Sequence, residues 1–415
     1  MNRLPNFFIL ILAAAFIIVV SVALPQAEWS RAYGGSYDDG FWSLQAVADG
    51  FILAGYTCSN GQGGDLWLAR TDLQGDLLWN AIYGGSGEDI GYSVHQTDDL
   101  GFAVVGSTRS FGLGEERLWL LKVSSNGSKI WDRTFGGFVS SAGDGGWSVD
   151  QTGDGGYIAT GYTSSFGTGG KDLWFIKTDA EGNEQWSKTF GGPKDDVGMS
   201  VLQAEDGGYI AAGRTASYGA GGDDIWLLKV NSAGLEQWNT TFGGNKDDVG
   251  FQVIELQDGY ALAGRTESAS SGNKAILIKT DKGGKKQWER IYQGNTALSL
   301  QRTEDGGFII AARIDSLNSG KDALLIKTDS SGTLQWSMPL GGPKEEIGSA
   351  VVEIPYGYAM AGITSSFGAG AEDGWLVKII PELLSSPYGG SELNSTSRFE
   401  GDGEMSQPAM DHTLA

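Results

Sequence analysis

The chain is poor in several residue types, and each shortage closes off a class of protein. A single cysteine, Cys58, excludes an internal disulfide framework. Two histidines, His95 and His412, cannot supply a multi-histidine metal centre. Against 51 acidic residues stand only 29 basic ones, a formal charge of −22 over 415 residues, so the Lys/Arg clusters that phosphate neutralisation requires are missing and no nucleic-acid partner is expected. Proline is scarce, with 9 residues, and the 66 glycines follow no G-X-Y period, which excludes a collagen-like chain. Glycine at that density also argues against a helical bundle, because each one inside a helix costs about 1 kcal/mol relative to alanine. Hydrophobic residues at 40% and aromatics at 11% are too many for a disordered polyanion. A packed β protein rich in turns remains.

The two ends differ from the body. Phe7 to Leu24 is apolar apart from Ser21 and follows Arg3 and the amino terminus, so residues 1–27 are expected to act as a cleaved signal peptide or an N-terminal membrane anchor. Either outcome places the body outside the cell. Residues 381–415 are rich in Ser, Gly and Glu and read as a disordered polar tail. Sequons at Asn126, Asn239 and Asn394 fit an exterior location.

Between the ends runs a repeat. Trp29, Trp79, Trp131, Trp186, Trp238, Trp288 and Trp336 recur in the context W-x4-G-G or a close relative, at gaps of 50, 52, 55, 52, 50 and 48 residues. Each unit holds four apolar-rich runs of strand length, A to D, separated by turn signals. In the fourth unit these are Gly198–Ala204, Gly208–Thr215, Asp224–Val230 and Glu236–Phe242, with Asp206-Gly207-Gly208 as the A–B turn. Four antiparallel strands repeated seven times predict an all-β, seven-bladed propeller over residues 28–380. The body starts with a lone D strand, Glu28–Tyr33, and its last unit has A, B and C only, so the N-terminal strand is expected to complete the last blade and close the ring.

The other tryptophans obey the same period. Trp67, Trp119, Trp174, Trp226 and Trp375 share one position of strand C, where units five and six carry Ile276 and Leu324, while Trp42 and Trp147 lie in strand A. Recurrence at fixed positions is what a repeated core requires, and all fourteen read as packing residues between blades.

The run KTDAEGNEQWSKTFGG, Lys177–Gly192, resembles the tryptophan-docking repeat of pyrroloquinoline-quinone-type propellers, and GYIAAGRT…DDIWLLKVNSAGLEQW, ending at Trp238, is similar to a kelch repeat. In overall character the chain resembles the exported, glycine-rich repeat propellers of archaeal and bacterial cell surfaces. The resemblance implies the fold, since it runs through structural residues. Quinone enzymes of similar repeat are typically eight-bladed, with a vicinal Cys-Cys pair or a Ca²⁺-bound quinone; seven units and one Cys carry none of those residues over.

In a four-stranded meander the D–A and B–C connections emerge on one side of the ring. Here they are long and polar, the kind of loop on which binding residues sit. The D–A loops repeat an acidic set: Asp38/Asp39, Glu88/Asp89, Asp195/Asp196, Asp247/Asp248 and Glu345/Glu346, with Asp144 in the longer third loop. One reading is a cation- or polyol-binding face, with Ca²⁺ as the candidate ion. The other is that each carboxylate accepts backbone N–H groups of its own turn. Equivalent loops about 10 Å apart cannot share one Ca²⁺, which needs six to eight oxygens at about 2.3–2.6 Å. In the B–C loops Ser59, Ser110, Ser165, Ser217, Ser268, Ser316 and Ser366 recur, and a turn role outweighs a nucleophilic one because no histidine recurs beside them. His95 reads as structural. Unit six (YQGNTALSL) lacks the acids and holds five glycines, so it is expected to be the least regular blade. The favoured function is a noncatalytic surface scaffold that binds a glycan, an envelope protein or a cation. The alternatives are an exported glycosidase or lyase, a degenerate quinoprotein, or a surface-layer element.

Overall fold

The computed structural model describes residues 25–380 apart from 60–62, 113, 138–142, 270–271 and 317–319. The expected export segment at 1–24 and the tail at 381–415 lie outside the described residues. Among those that are described there is no helix long and apolar enough to cross a membrane. Their 28 strands form seven four-stranded antiparallel sheets, a seven-bladed propeller.

Blade 4 shows how the sequence dictates a blade. Strands A to D are Asp196–Gln203, Tyr209–Thr215, Asp224–Val230 and Glu236–Phe242, paired in that order. The A–B hairpin turns at Gly207, whose φ of +78° suits glycine. Strands B and C are buried along almost their whole length, whereas D is exposed or half-buried up to the buried Phe242 at its end. B and C are therefore sandwiched between neighbouring blades, and D is the outer edge.

Strand A is innermost and is bulged in every blade. Each ladder skips one residue: Trp42, Tyr92, Trp147, Met199, Phe251, Leu298 and Ser349 in turn. Trp42 and Trp147 thus stand at bulges of the inner strand and meet through Tyr92, at ring-centroid distances of 6.4 and 4.3 Å. A serine beside most bulges accepts the N–H of the next blade's inner strand, as in Ser43 with Val94 (3.1 Å) and Ser148 with Val201 (3.1 Å).

The strand-D tryptophans pack as the repeat requires. Trp79 meets Phe102, Trp131 meets Tyr157, Trp186 meets Tyr209, Trp238 meets Tyr260, Trp288 meets Phe308 and Trp336 meets Tyr358, each on strand B of the next blade. Trp29 packs in the same way against the cluster around Phe51. Strand β1 (Gln26–Tyr33) pairs antiparallel with the last strand, Asp373–Ile380, and Trp375 Nε1 donates to Ser30 Oγ at 2.7 Å.

Blade 6 keeps all four strands. Its B and C strands, Phe308–Ser316 and Gly320–Thr328, are nine residues each and pair through to Ser316 and Gly320, so the unit expected to be least regular has the longest B–C ladder. The reason is local: without the acidic set there is no loop architecture to interrupt the hairpin.

Candidate functional site

The D–A and B–C loops form one face, and the structure divides the acidic pairs of that face into two sets. The second members, Asp39, Asp89, Asp196, Asp248 and Glu346, together with Asp144, are at most 1% exposed. Each accepts the N–H of the second glycine of its Gly-Gly turn at 2.8–3.0 Å, from Gly35, Gly85, Gly137, Gly192, Gly244 and Gly342. Five of them also accept a B–C loop hydroxyl, from Ser59, Ser110, Ser165, Ser217 and Ser268, at 2.5–2.7 Å. Thr163 and Thr215 donate to Asp144 and Asp196. Ser366 instead donates its N–H to Glu346 (3.1 Å), and its hydroxyl accepts from Lys344 N. The recurrent serines, Ser316 apart, whose side chain lies outside the description, are thereby assigned to loop structure, and the buried carboxylates are latches joining the D–A loop to the B–C loop.

The first members are placed otherwise. Asp38, Glu88, Asp247 and Glu345 are exposed and Asp195 is half-buried. Asp195 Oδ1 accepts Lys171 N at 3.0 Å and Asp247 Oδ1 accepts Asp223 N at 3.1 Å, which ties these two to the previous blade while the side chain still reaches solvent.

A second set of buried acids went unread in the sequence: Asp65, Asp172, Asp224 and Asp373, which open strand C and are 1–5% exposed. Their signal was the recurrent Asp-x-Trp of strand C. Each approaches the latch of the next blade across the first glycine of the Gly-Gly turn. A Cβ on Gly191 would lie 2.3 Å from Asp172 Oδ1 and 2.7 Å from Asp196 Oδ2, and one on Gly34 2.4 Å from Asp373 Oδ1 and 2.6 Å from Asp39 Oδ2. Only glycine fits between two carboxylates at that approach. The cost shows in their proton affinities. Burial, and then the neighbouring latch, raise Asp65; burial raises Asp172 and Asp224 against their backbone bonds; and Asp373 is pushed up to about 6 by burial with Asp39 contributing.

In blade 6 Asn295 stands at the latch position and Ile314 opposite it, where blade 5 has Asp248 and Thr266. Among the described residues no three His, Cys, Asp or Glu side chains gather as ligands for a metal ion. His95 Nδ1 lies 3.4 Å from Asp150 Oδ1 of the next blade, a partner that suits a structural role. The Asn126 side-chain oxygen accepts from Ser124 and Ser128 within its turn, and the Asn239 amide nitrogen donates to Glu236 Oε1 at 2.6 Å. Asn394 lies outside the described residues.

The opposite face repeats a different device. Lys122, Lys177, Lys229 and Lys327 of strand C have side chains 2–5% exposed, and each reaches the Asp of its own A–B turn, Asp99, Asp154, Asp206 and Asp305, at 2.8–2.9 Å. Lys279–Asp258 and Arg70–Asp49 are the same pairing in blades 5 and 1.

One groove lies between blades 3 and 4, from the B–C loop residue Tyr218 along the outer strand of blade 4 to Glu236. Its volume is about 520 Å³, and Tyr218, Trp226, Glu236, Asn239 and Thr241 are among its lining residues.

No family model and no curated protein matches the chain. Solved structures do resemble it. The WD40 β-propeller domain of Doa1 aligns over 88% of this chain and 98% of its own, with a TM-score of 0.53 at 12% identity. The Dos1 propeller aligns over 86% and 96%, with a TM-score of 0.49 at 10% identity. The quinohemoprotein alcohol dehydrogenase ADHIIG from Pseudomonas putida HK5 aligns over 90% and 79%, again at 0.49 and 10%. At such identities the likeness is one of fold.

Proposed function

We propose that this propeller is a noncatalytic interaction scaffold at the cell surface or outside the cell, which presents its D–A/B–C face to a glycan, an envelope protein or a cation. The observation that carries the reading is the division of labour within each acidic pair. One carboxylate is buried as a latch and the other, Asp38, Glu88, Asp247 or Glu345, faces solvent, with Asp195 half-buried. A rigid scaffold that repeats exposed carboxylates on one face suits recognition of hydroxyl-rich or cationic partners. The carboxylates that approach each other closely are buried and engaged by loop donors, an arrangement that favours structure over acid–base chemistry. Export rests on the apolar run at Phe7–Leu24, and β1 is assigned the role of closing the ring, for which its pairing with the last strand is the support.

The test is a chain in which Asp38, Asp195 and Asp247 become Asn and Glu88 and Glu345 become Gln. Compared with the unsubstituted chain on a glycan array, by calorimetry with Ca²⁺ in low salt and on a hydrolase substrate panel, it should lose a binding signal while keeping its melting temperature. Saturable turnover abolished by one Asp or Glu substitution would overturn the noncatalytic reading. Protease accessibility of the body on intact cells tests the location.

A further inference from the structure

The groove between blades 3 and 4 is set apart by Tyr218, which stands where blades 2, 3 and 7 carry Phe111, Phe166 and Phe367. Tyr218, in the B–C loop of blade 4, is 46% exposed, yet its ring is fixed at both ends: its hydroxyl donates to Gly191 O at 2.8 Å, and its ring leans on the buried Trp226 at a centroid distance of 5.7 Å. Trp226 is itself held, its indole N–H donating to Asn239 Oδ1 at 3.3 Å, while the Asn239 amide donates to Glu236 Oε1 at 2.6 Å. Thr241 pairs with Trp226 in the ladder, and Asn239 stands two residues before it, so by strand alternation both side chains share the face of Trp226. In blade 3 the corresponding aromatic is Phe166, which has no hydroxyl to anchor it, and Ser187 takes the place of Asn239.

We infer that this groove is a saccharide subsite: the Tyr218 ring is the platform for the apolar C–H face of a neutral sugar, and Glu236, Asn239 and Thr241 are the hydrogen-bonding groups for its hydroxyls. It rests on the scaffold reading above and commits that reading to a ligand class and a place. The chemistry selects the class. A sugar hydroxyl both donates and accepts, and the groove offers both functions: the second N–H of Asn239 and the Thr241 hydroxyl donate, and the Glu236 carboxylate accepts. An ammonium group would use the acceptors alone. An acidic sugar would meet Asp172 and Glu236 among the lining residues, with no Lys or Arg lining to offset them. Aromatic and amide are already oriented by their own bonds, so little side-chain freedom is lost when a ligand enters.

The probes are cellotetraose, mannotetraose, chitotetraose and, as the cationic alternative, tetralysine, each titrated into the full-length chain in sugar-free buffer by calorimetry and tryptophan fluorescence. At least one neutral tetrasaccharide should bind. Tyr218→Ala should weaken it about tenfold or more, and Thr241→Val, a change at a half-buried hydroxyl that leaves the fold intact, about threefold. Tyr218→Phe, which keeps the platform and drops the anchor, should fall between the original chain and Tyr218→Ala. Binding of no tetrasaccharide, binding of tetralysine alone, or saccharide affinity unmoved by both Tyr218→Ala and Thr241→Val would overturn the inference. The five-site Asn/Gln chain separates this outcome from failure of the scaffold reading. Saccharide binding lost there but retained in the groove variants sinks the groove and leaves the scaffold, whereas turnover of a bound saccharide sinks the scaffold and leaves the groove.

Discussion

The two faces of the ring hold their carboxylates by opposite means. On the hairpin face the A–B turn residues Asp99, Asp154, Asp206 and Asp305 are each met by a buried lysine. Burial pushes Asp99, Asp154 and Asp305 up, but bonds from a neighbouring Thr and from the lysine outweigh it and hold all three at about 2. On the loop face the carboxylates come in twos with only hydroxyls and N–H groups as partners, and Asp373 stands at about 6. A carboxylate met by an opposite charge gains from ionising, while a buried one matched by dipoles and faced by another carboxylate loses. The lesson is positional. The hairpin face is built to stay as it is, and the loop face spends stability on holding polar loops in a fixed shape.

Breaking a latch should have the largest effect. Asp196→Ala strips the acceptor from Gly192 N–H and from the hydroxyls of Thr215 and Ser217, and chemical denaturation should show a loss of about 3 kcal/mol. On the hairpin face Asp154→Ala leaves Lys177 buried but still donating to Thr178 O and Gln185; with the Asp itself half exposed, the loss should be nearer 2 kcal/mol. If the hairpin-face change costs more than the latch, the contrast between the faces is misdrawn.

Acid sharpens the same contrast. Groups raised above the unfolded value, such as Asp373, bind more protons when folded, so their drag on stability is relieved as pH falls through about 6. Groups held at about 2, such as Asp154, contribute stability that is complete above the unfolded pKa of about 4 and is lost as pH falls through their folded value. The melting temperature should therefore rise from pH 7 toward about pH 4 and fall below it. A smaller effect isolates one pair: Asp373→Asn should raise the melting temperature at pH 8 by about 1–3 °C and flatten the rise between pH 7 and 5. Least of all, neutralising the five first-member carboxylates should leave stability within about 0.5 kcal/mol per site, because none of them is buried.

The blade count, the strand order and the packing of the strand-D tryptophans were legible because each obeys a period, and a period is visible in one sequence. The acidic pairs were legible as a set but not as a division: Asp195 and Asp196 are adjacent and alike, and only strand alternation at the start of strand A decides which is buried. The Asp-x-Trp acids of strand C were visible and unread, because their meaning lies in the glycine just past the following strand D, as Asp172 meets Gly191, and the two are in contact only through the fold. The strand-C lysines escaped for the same reason, since the Asp-Gly-Gly turn explains itself without them. The groove at Tyr218 depends on a tyrosine hydroxyl where blades 2, 3 and 7 carry Phe111, Phe166 and Phe367, and a reading built on recurrence passes over what occurs once.

The inner-strand bonds carry a consequence for how the molecule is assembled. Ser43–Val94, Ser93–Val149, Ser148–Val201, Ser200–Val253 and Ser299–Val351 join residues 51 to 56 apart. At one boundary the separation is 308, where Ser349 donates to Phe41 O. With the ring closed by β1 as proposed above, six junctions form as neighbouring stretches of chain meet, and the seventh must bring distant stretches together, at an extra entropic cost of about 1–2 kcal/mol. Order of assembly is then a property of where the backbone is cut rather than of any blade: a circular permutant opened between blades 3 and 4 would make that boundary the last to form, and the present one among the first.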